Sequence, residues 1–155
     1  MKVQMQKVHA HCRCGKVSLE LVGRPILRAT CYCNSCQAAA KILGDLPGAP
    51  TIAADDGGTD FMLYRKDRVG QIIGIDHLRE HRLTPNSPMR RMVAECCNTP
   101  MAADFTKGFW LNIFAGCLEG GGQPRPTLRS YTAPFMARLV LSWAAMGFRR
   151  PKLTW

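Results

Sequence analysis

The sequence predicts a mainly β protein that carries zinc sites and ends in an α-helix. Three observations carry this prediction. Short runs alternate apolar and polar residues between turn signals, as half-buried strands do. Seven of the eight cysteines fall in three clusters at the ends of those runs. A helical period appears only after residue 134, where Phe135, Leu139, Trp143 and Met146 share one face and Gly147 stops it.

The strands follow in order. VSLELVG (17–23) alternates and ends in a glycine turn. PILRATCYC (25–33) places Ile26, Arg28 and Thr30 on one face and Leu27, Ala29 and Cys31 on the other. CQAAAKILG (36–44) predicts a short helical turn closed by Gly44. LPGAPTIAADDGGTD (46–60) reads as a surface loop. DFMLYRK and VGQIIGI read as strands joined by a Lys-Asp turn, and MRRMVAE as a strand entering CCNTPM. HLREHRLT (77–84) fits either strand or helix, and the signals weaken after Gly108. LEGGGQPRP reads as a flexible connector. Residues 1–118 therefore form the expected zinc-binding domain. Residues 119–155 form a connector and a helix packed on that domain or on a partner.

The chain has 155 residues, enough for one domain with a real core. No apolar run is long enough to span a membrane. MKVQMQKVHA lacks the apolar core of a secretory signal, so a cytoplasmic protein is expected. In that compartment clustered cysteines point to metal or redox chemistry more than to disulfides. The net charge is +10 with thiols counted as neutral. Two thiolate-zinc sites would lower it to about +7. The densest basic spots are MRR (89–91) and FRRPK (148–152). With few aromatics among them, a solvated basic surface is the favoured reading and a nucleic-acid groove the less favoured one.

The cysteine clusters hold two, three and two residues. Cys12 and Cys14 lie in HCRCG, and residues i and i+2 of an extended chain point to one side. Gly15 allows a sharp turn there. Cys31, Cys33 and Cys36 are close enough in sequence to form a site alone. Cys96 and Cys97 are the one distant pair that can complete a half-site. The economical partition is a four-sulfur site (Cys12, Cys14, Cys96, Cys97) and a three-sulfur site (Cys31, Cys33, Cys36). Four protein ligands make a closed structural zinc; three leave a position for water or substrate. A soft thiolate set suits a further sulfur there. The plainer reading is that both zincs only hold the fold together. Cys117 reads as a buried small hydrophobe.

Other motifs weigh less. Cys33-x-x-Cys36 lacks the βαβ context of a thioredoxin-like redox pair. HLREH (77–81) matches an inverted zinc-protease motif, but Gly74 and Pro85 leave little room for the required helix. His77 and His81 therefore read as surface histidines. His9 and His11 alternate with Cys12 and face away from it. Asp60 and His77 are candidates for a proton shuttle only as polar groups near turns.

HCRCGKVSLELVG, CYCNSCQ and CCNTPM together resemble the glutathione-dependent formaldehyde-activating enzyme family, which includes centromere protein V. The resemblance covers about residues 8 to 115. It implies the zinc-bearing β-tent fold of Mss4-like proteins and a carbon–sulfur lyase acting on an adduct of a small thiol, such as glutathione, with an aldehyde. It implies a structural zinc held by Cys12, Cys14 and Cys97. It also implies a second, more labile zinc at Cys31, Cys33 and Cys36, which are then the catalytic residues. The sequence departs from that pattern in three places. Ala94 stands where the family has a further cysteine, so either Cys96 replaces that ligand or the site holds three sulfurs. Asn98 replaces a glycine, and Asn is the next-best residue for a left-handed turn. Gln37 and the three alanines after it replace a stretch that in the family bears arginine.

Overall fold

The computed structural model describes residues 5–121 and the short strand 128–130. The elements follow in chain order. Strands β1 (Lys7–His11), β2 (Ser18–Val22) and β3 (Leu27–Cys31) precede helix α1 (Asn34–Gly44). Next come β4 (Thr59–Arg65), β5 (Val69–Ile73), β6 (Leu78–His81) and β7 (Met89–Ala94). They are followed by β8 (Thr99–Phe105), β9 (Trp110–Phe114) and β10 (Leu128–Ser130). The protein is mainly β, as the sequence predicts. The terminal helix expected from Phe135, Leu139, Trp143 and Met146, and the FRRPK cluster, lie outside the described residues.

Two sheets form. The smaller runs β1-β2-β5 and the larger β10-β3-β4-β9-β8-β7-β6. Every pairing is antiparallel except that of β10 with β3. The alternation in VSLELVG works as expected: Leu19 and Leu21 are fully buried, while Glu20 pairs outward with Lys7. Met62, Met101, Leu111, Ile113 and Val93 fill the core of the larger sheet.

Strands β8 and β9 carry no alternation. All five residues of β9 and the first six of β8 are buried. They are central strands covered on both faces, which erases the two-residue period. Pro100 is tolerated in β8 because the pairing with β7 shifts register between Met92 and Val93. HLREH forms β6 after a 3-10 turn at Ile75–His77, not a helix. Residues four apart on extended chain lie about 13 Å apart, too far for one metal. Helix α1 is a full 11-residue helix, longer than the short turn expected from the sequence. Gly44 lies inside it and Asp45 caps it. The run of alanines favours helix, and Cys33 caps its start.

The MRR stretch is not a solvated basic surface. Arg90 turns inward to Asp104, whose other oxygen lies 2.7 Å from the Lys66 ammonium. Lys66 and Asp104 side chains are 4% and 1% exposed. Burial works against ionisation of Asp104, but Lys66 and Arg90 outweigh it and hold the carboxyl below its ordinary range. Such a group stabilises the fold above its unfolded pKa, and that contribution is lost as pH falls through the folded pKa. Asp104→Ala is expected to cost about 3–5 kcal/mol in chemical denaturation near neutral pH, because the buried Lys66 and the half-buried Arg90 lose their anion. The gap between wild type and Asp104→Asn should narrow as pH falls from about 4 through the lowered folded pKa, below which both carry a neutral side chain.

Candidate metal centres

The loop between β1 and β2 presents the first pair of thiols. Gly15 adopts φ +80 and donates its N–H to the Cys12 carbonyl at 2.9 Å. Val17 N–H reaches the Cys12 sulfur at 3.2 Å. The second pair sits in the turn that joins β7 to β8. Adjacent side chains of a strand point apart, but residues 95–98 form a turn, closed by Cys97 N–H to the Ala94 carbonyl at 3.2 Å. Asn98 takes the left-handed conformation, φ 52, that the replaced glycine would take. Its amide donates to the Pro47 carbonyl. The backbone bend lets Cys96 and Cys97 face the same point.

The resulting spacing is that of a tetrahedral site. The sulfur separations are 3.6 Å (Cys12–Cys14), 3.8 Å (Cys12–Cys96), 3.3 Å (Cys14–Cys96) and 4.0 Å (Cys96–Cys97). All four sulfurs lie within 4.8 Å of one another. Four thiolates at about 2.3 Å from one zinc stand about 3.8 Å apart. Such thiols cannot all ionise unaided. Burial pushes Cys12 up, and burial with Cys14 and Cys12 pushes Cys96 up to about 12. Cys97, though burial opposes it, is held at about 6 by the Thr99 hydroxyl and by Cys14. A cation among them is what lets all four ionise together.

The second group is built where β3 ends and α1 begins. Cys31 closes β3, and Cys33 is the N-cap of α1 in extended conformation, φ −66 and ψ 154. Its sulfur accepts the Cys36 N–H at 3.4 Å. The sulfurs of Cys31 and Cys33 stand 3.4 Å apart, and all three thiols lie within 4.8 Å of one another. Interaction with Cys31 and Cys36, aided by the N–H groups of Cys36 and Ser35, draws Cys33 down to about 2, while Cys31 and Cys33 drive Cys36 far up. Ionisation of one of the three sulfurs thus opposes that of the others, and a metal ion among them would favour all three thiolates. All three are half-buried. Tyr32, between them in sequence, faces the 54–58 turn, where its hydroxyl donates to Asp56 at 2.6 Å. A Cβ on Gly58 would stand 2.8 Å from the Tyr32 ring, so glycine lets that turn pack under the loop.

The seven cysteines singled out in the sequence are thus brought together as two groups, each able to hold a metal ion. The other candidates are placed elsewhere. Asp60 is engaged by the Arg28 guanidinium across β3 and β4. His77 accepts Glu95 N–H at its carbonyl, beside the four-sulfur turn. His11 and His9 face Glu119, at 2.7 and 3.6 Å. Cys117 is buried; its thiol donates to the Pro100 carbonyl, and burial pushes it up to about 12. A shallow recess of about 270 Å³, lined by Arg13, Cys14, Pro47, Gly48 and Cys97, opens beside the four-sulfur group. That group is therefore not sealed, and Cys14 is exposed.

Sequence reasoning missed Arg91. It is 3% exposed, projects from β7, and donates to the Ser35 hydroxyl at 3.1 Å beside the three-sulfur group. Burial works against its charge, and Cys36, Cys33 and Cys31 work for it. Its only sequence signal is an arginine at an inward position of a strand.

If Cys96 supplies a ligand, Cys96→Ala should lose one metal per chain by native mass spectrometry. Its circular dichroism should show unfolding under conditions where the wild type stays folded. Retention of the full metal count would remove Cys96 from the site.

No curated protein matches the chain. Among solved structures, a crystal structure of a Rhodobacter sphaeroides protein is similar in fold, with TM-score 0.54 and 14% identity, over 79% of this chain and 99% of that one. A family of unknown function, DUF6151, matches residues 5–115. With most of its described residues, including all seven clustered cysteines, inside that match, the chain belongs to the DUF6151 family.

Proposed function

We propose that the protein binds two zinc ions with different tasks. Cys12, Cys14, Cys96 and Cys97 would hold a structural zinc. Cys31, Cys33 and Cys36 would hold a second zinc with one position left for the sulfur of a small thiol such as glutathione. The reaction is that of a carbon–sulfur lyase on a thiol–aldehyde adduct, taken from the resemblance to glutathione-dependent formaldehyde-activating enzymes, and the β-tent fold belongs to the same proposal. The observation that carries the reading is the donor set: three half-buried thiols, one short of a tetrahedron, at the N-terminus of a helix. An all-sulfur tetrahedral set suits zinc among common divalent ions.

In the lyase direction the adduct's carbon–sulfur bond breaks and its electron pair stays on sulfur. The adduct hydroxyl loses its proton to solvent as the aldehyde carbonyl forms; addition runs in reverse. A zinc held by Cys31, Cys33 and Cys36 would supply a Lewis acid that keeps the leaving sulfur as a thiolate at neutral pH. Cys33 is held by the first-turn N–H of Cys36, so the ligand loop and the helix start are one rigid unit. Asp60, tied to Arg28, is not the proton acceptor in this reading.

The test is metal content by mass spectrometry, before and after a wash in millimolar glutathione. Two zincs per chain, with glutathione acting on the second alone, supports the proposal. Two zincs indifferent to glutathione would instead favour a non-catalytic zinc-stabilised module whose basic surface meets nucleic acid or a protein partner. Fewer than one would sink the seven-cysteine assignment. Cys33→Ala should leave a folded chain without lyase activity, whereas Cys14→Ala should unfold it.

A further inference from the structure

Arg91 is buried, yet among the described residues it has no carboxylate partner. All eleven Asp and Glu residues of the chain lie among the described residues, and none is within ion-pair distance of it. Its Nη2 donates to the Ser35 carbonyl at 3.3 Å and the Ser35 hydroxyl at 3.1 Å. Its Nη1 is buried without a hydrogen-bond partner. Arginine does not give up its proton in proteins, and an unpaired buried guanidinium is costly. Its neighbour Arg90 has Asp104, on the other side of the strand. Its anchor Ser35 lies between Cys33 and Cys36, which sets the guanidinium beside the three-sulfur group, whose thiols favour its charge, Cys36 foremost.

We propose that Arg91 is the built-in counter-cation of the three-sulfur centre. Its fork is anchored on Ser35, leaving Nη1 for the Cys36 sulfur, and its charge makes room for an anionic fourth ligand, a thiolate, in preference to a neutral one. The inference rests on reading the triplet as a metal centre. Three thiolates around a divalent ion leave one excess negative charge, which Arg91 cancels. A fourth thiolate then restores a single excess charge, where without Arg91 it would create two. In a half-buried site this difference is larger than it would be in bulk water. A hydrogen bond from a guanidinium to a metal-bound thiolate also orients that ligand, as partners of metal ligands commonly do.

The experiment uses the full chain with zinc in the four-sulfur group. Cobalt(II) is titrated as the second equivalent against a chelator, followed by its thiolate charge-transfer band. R91M should weaken the second equivalent about 10- to 100-fold and move the band to lower energy, with the first metal unaffected. R91K, which keeps the charge, should recover most of the affinity. In the cobalt-loaded protein R91M should also weaken binding of 2-mercaptoethanol while leaving imidazole unchanged. S35A, which loosens the anchor but keeps the charge, should lose much less cobalt affinity than R91M; a purely structural tie between α1 and β7 would make the two alike and overturn the proposal. Equal cobalt affinity in R91M and wild type would overturn it as well. If R91M does not fold, R91K decides: cobalt affinity near wild type supports a charge role, and a lost second site overturns it. A wild type that holds cobalt tightly but ignores thiols would sink the thiol-binding function, while the R91M affinity still tests the counter-cation.

Discussion

Seven thiols are packed into two groups whose sulfurs lie within 4.8 Å of one another, and sulfur at that spacing cannot carry full charge without a cation. Much of the described architecture serves to bring these sulfurs together. The β1–β2 loop and the β7–β8 turn come from different sheets, and Cys12, Cys14, Cys96 and Cys97 are where they meet. The end of β3 and the start of α1 meet at Cys31, Cys33 and Cys36. A metal in the first group ties segments more than eighty residues apart, so loop closure in the unfolded chain is the main entropy it would remove. The second group closes a loop of only six residues, so its metal contributes little to the fold by that route. The different tasks proposed for the two centres follow from this difference in chain separation.

Charge is placed with the same economy inside the larger sheet. Successive residues of β7 point to opposite faces, so Arg90 and Arg91 serve opposite sides of one strand. Arg90 joins Lys66 on Asp104, which sits at 0% exposure in the core. Arg91 donates to Ser35 in the first turn of α1, beside the thiols. Lys66 and Arg90 share a carboxylate, and for Arg91 the proposed counter-charge is sulfur. The basic excess of the sequence is therefore a poorer guide to the surface than it looks, since in its densest described cluster Arg91 is buried and Arg90 is half-buried and paired.

The alternating strands and the cysteine partition were legible because both follow from local rules. Side-chain alternation is a property of extended backbone, which is why Leu19 and Leu21 could be assigned inward from VSLELVG. C-x-C and C-x-C-x-x-C spacings bring sulfurs together within a turn or two of chain. Strands β8 and β9 were not legible, because burial on both faces removes the period that marks a strand. The helix α1 was read too short because its cap is a thiol, which is not among the usual capping residues. HLREH was ambiguous because four residues match a helical motif and a strand equally well, and only pairing of β6 with β7 decides between them.

By itself the sequence determined that the chain is β-rich and that its clustered cysteines fall into local sets of two, three and two, because periodicity and short-range spacing act within a few residues. The tertiary structure alone decided whether Cys96 and Cys97 can face one point, since that depends on the turn between β7 and β8 and on a left-handed Asn98. It alone decided that Arg91 stands beside Cys36. No pattern in a linear sequence links residues 36 and 91; the folding of a seven-stranded sheet against α1 does, and the need to balance a buried charge gives that contact its consequence.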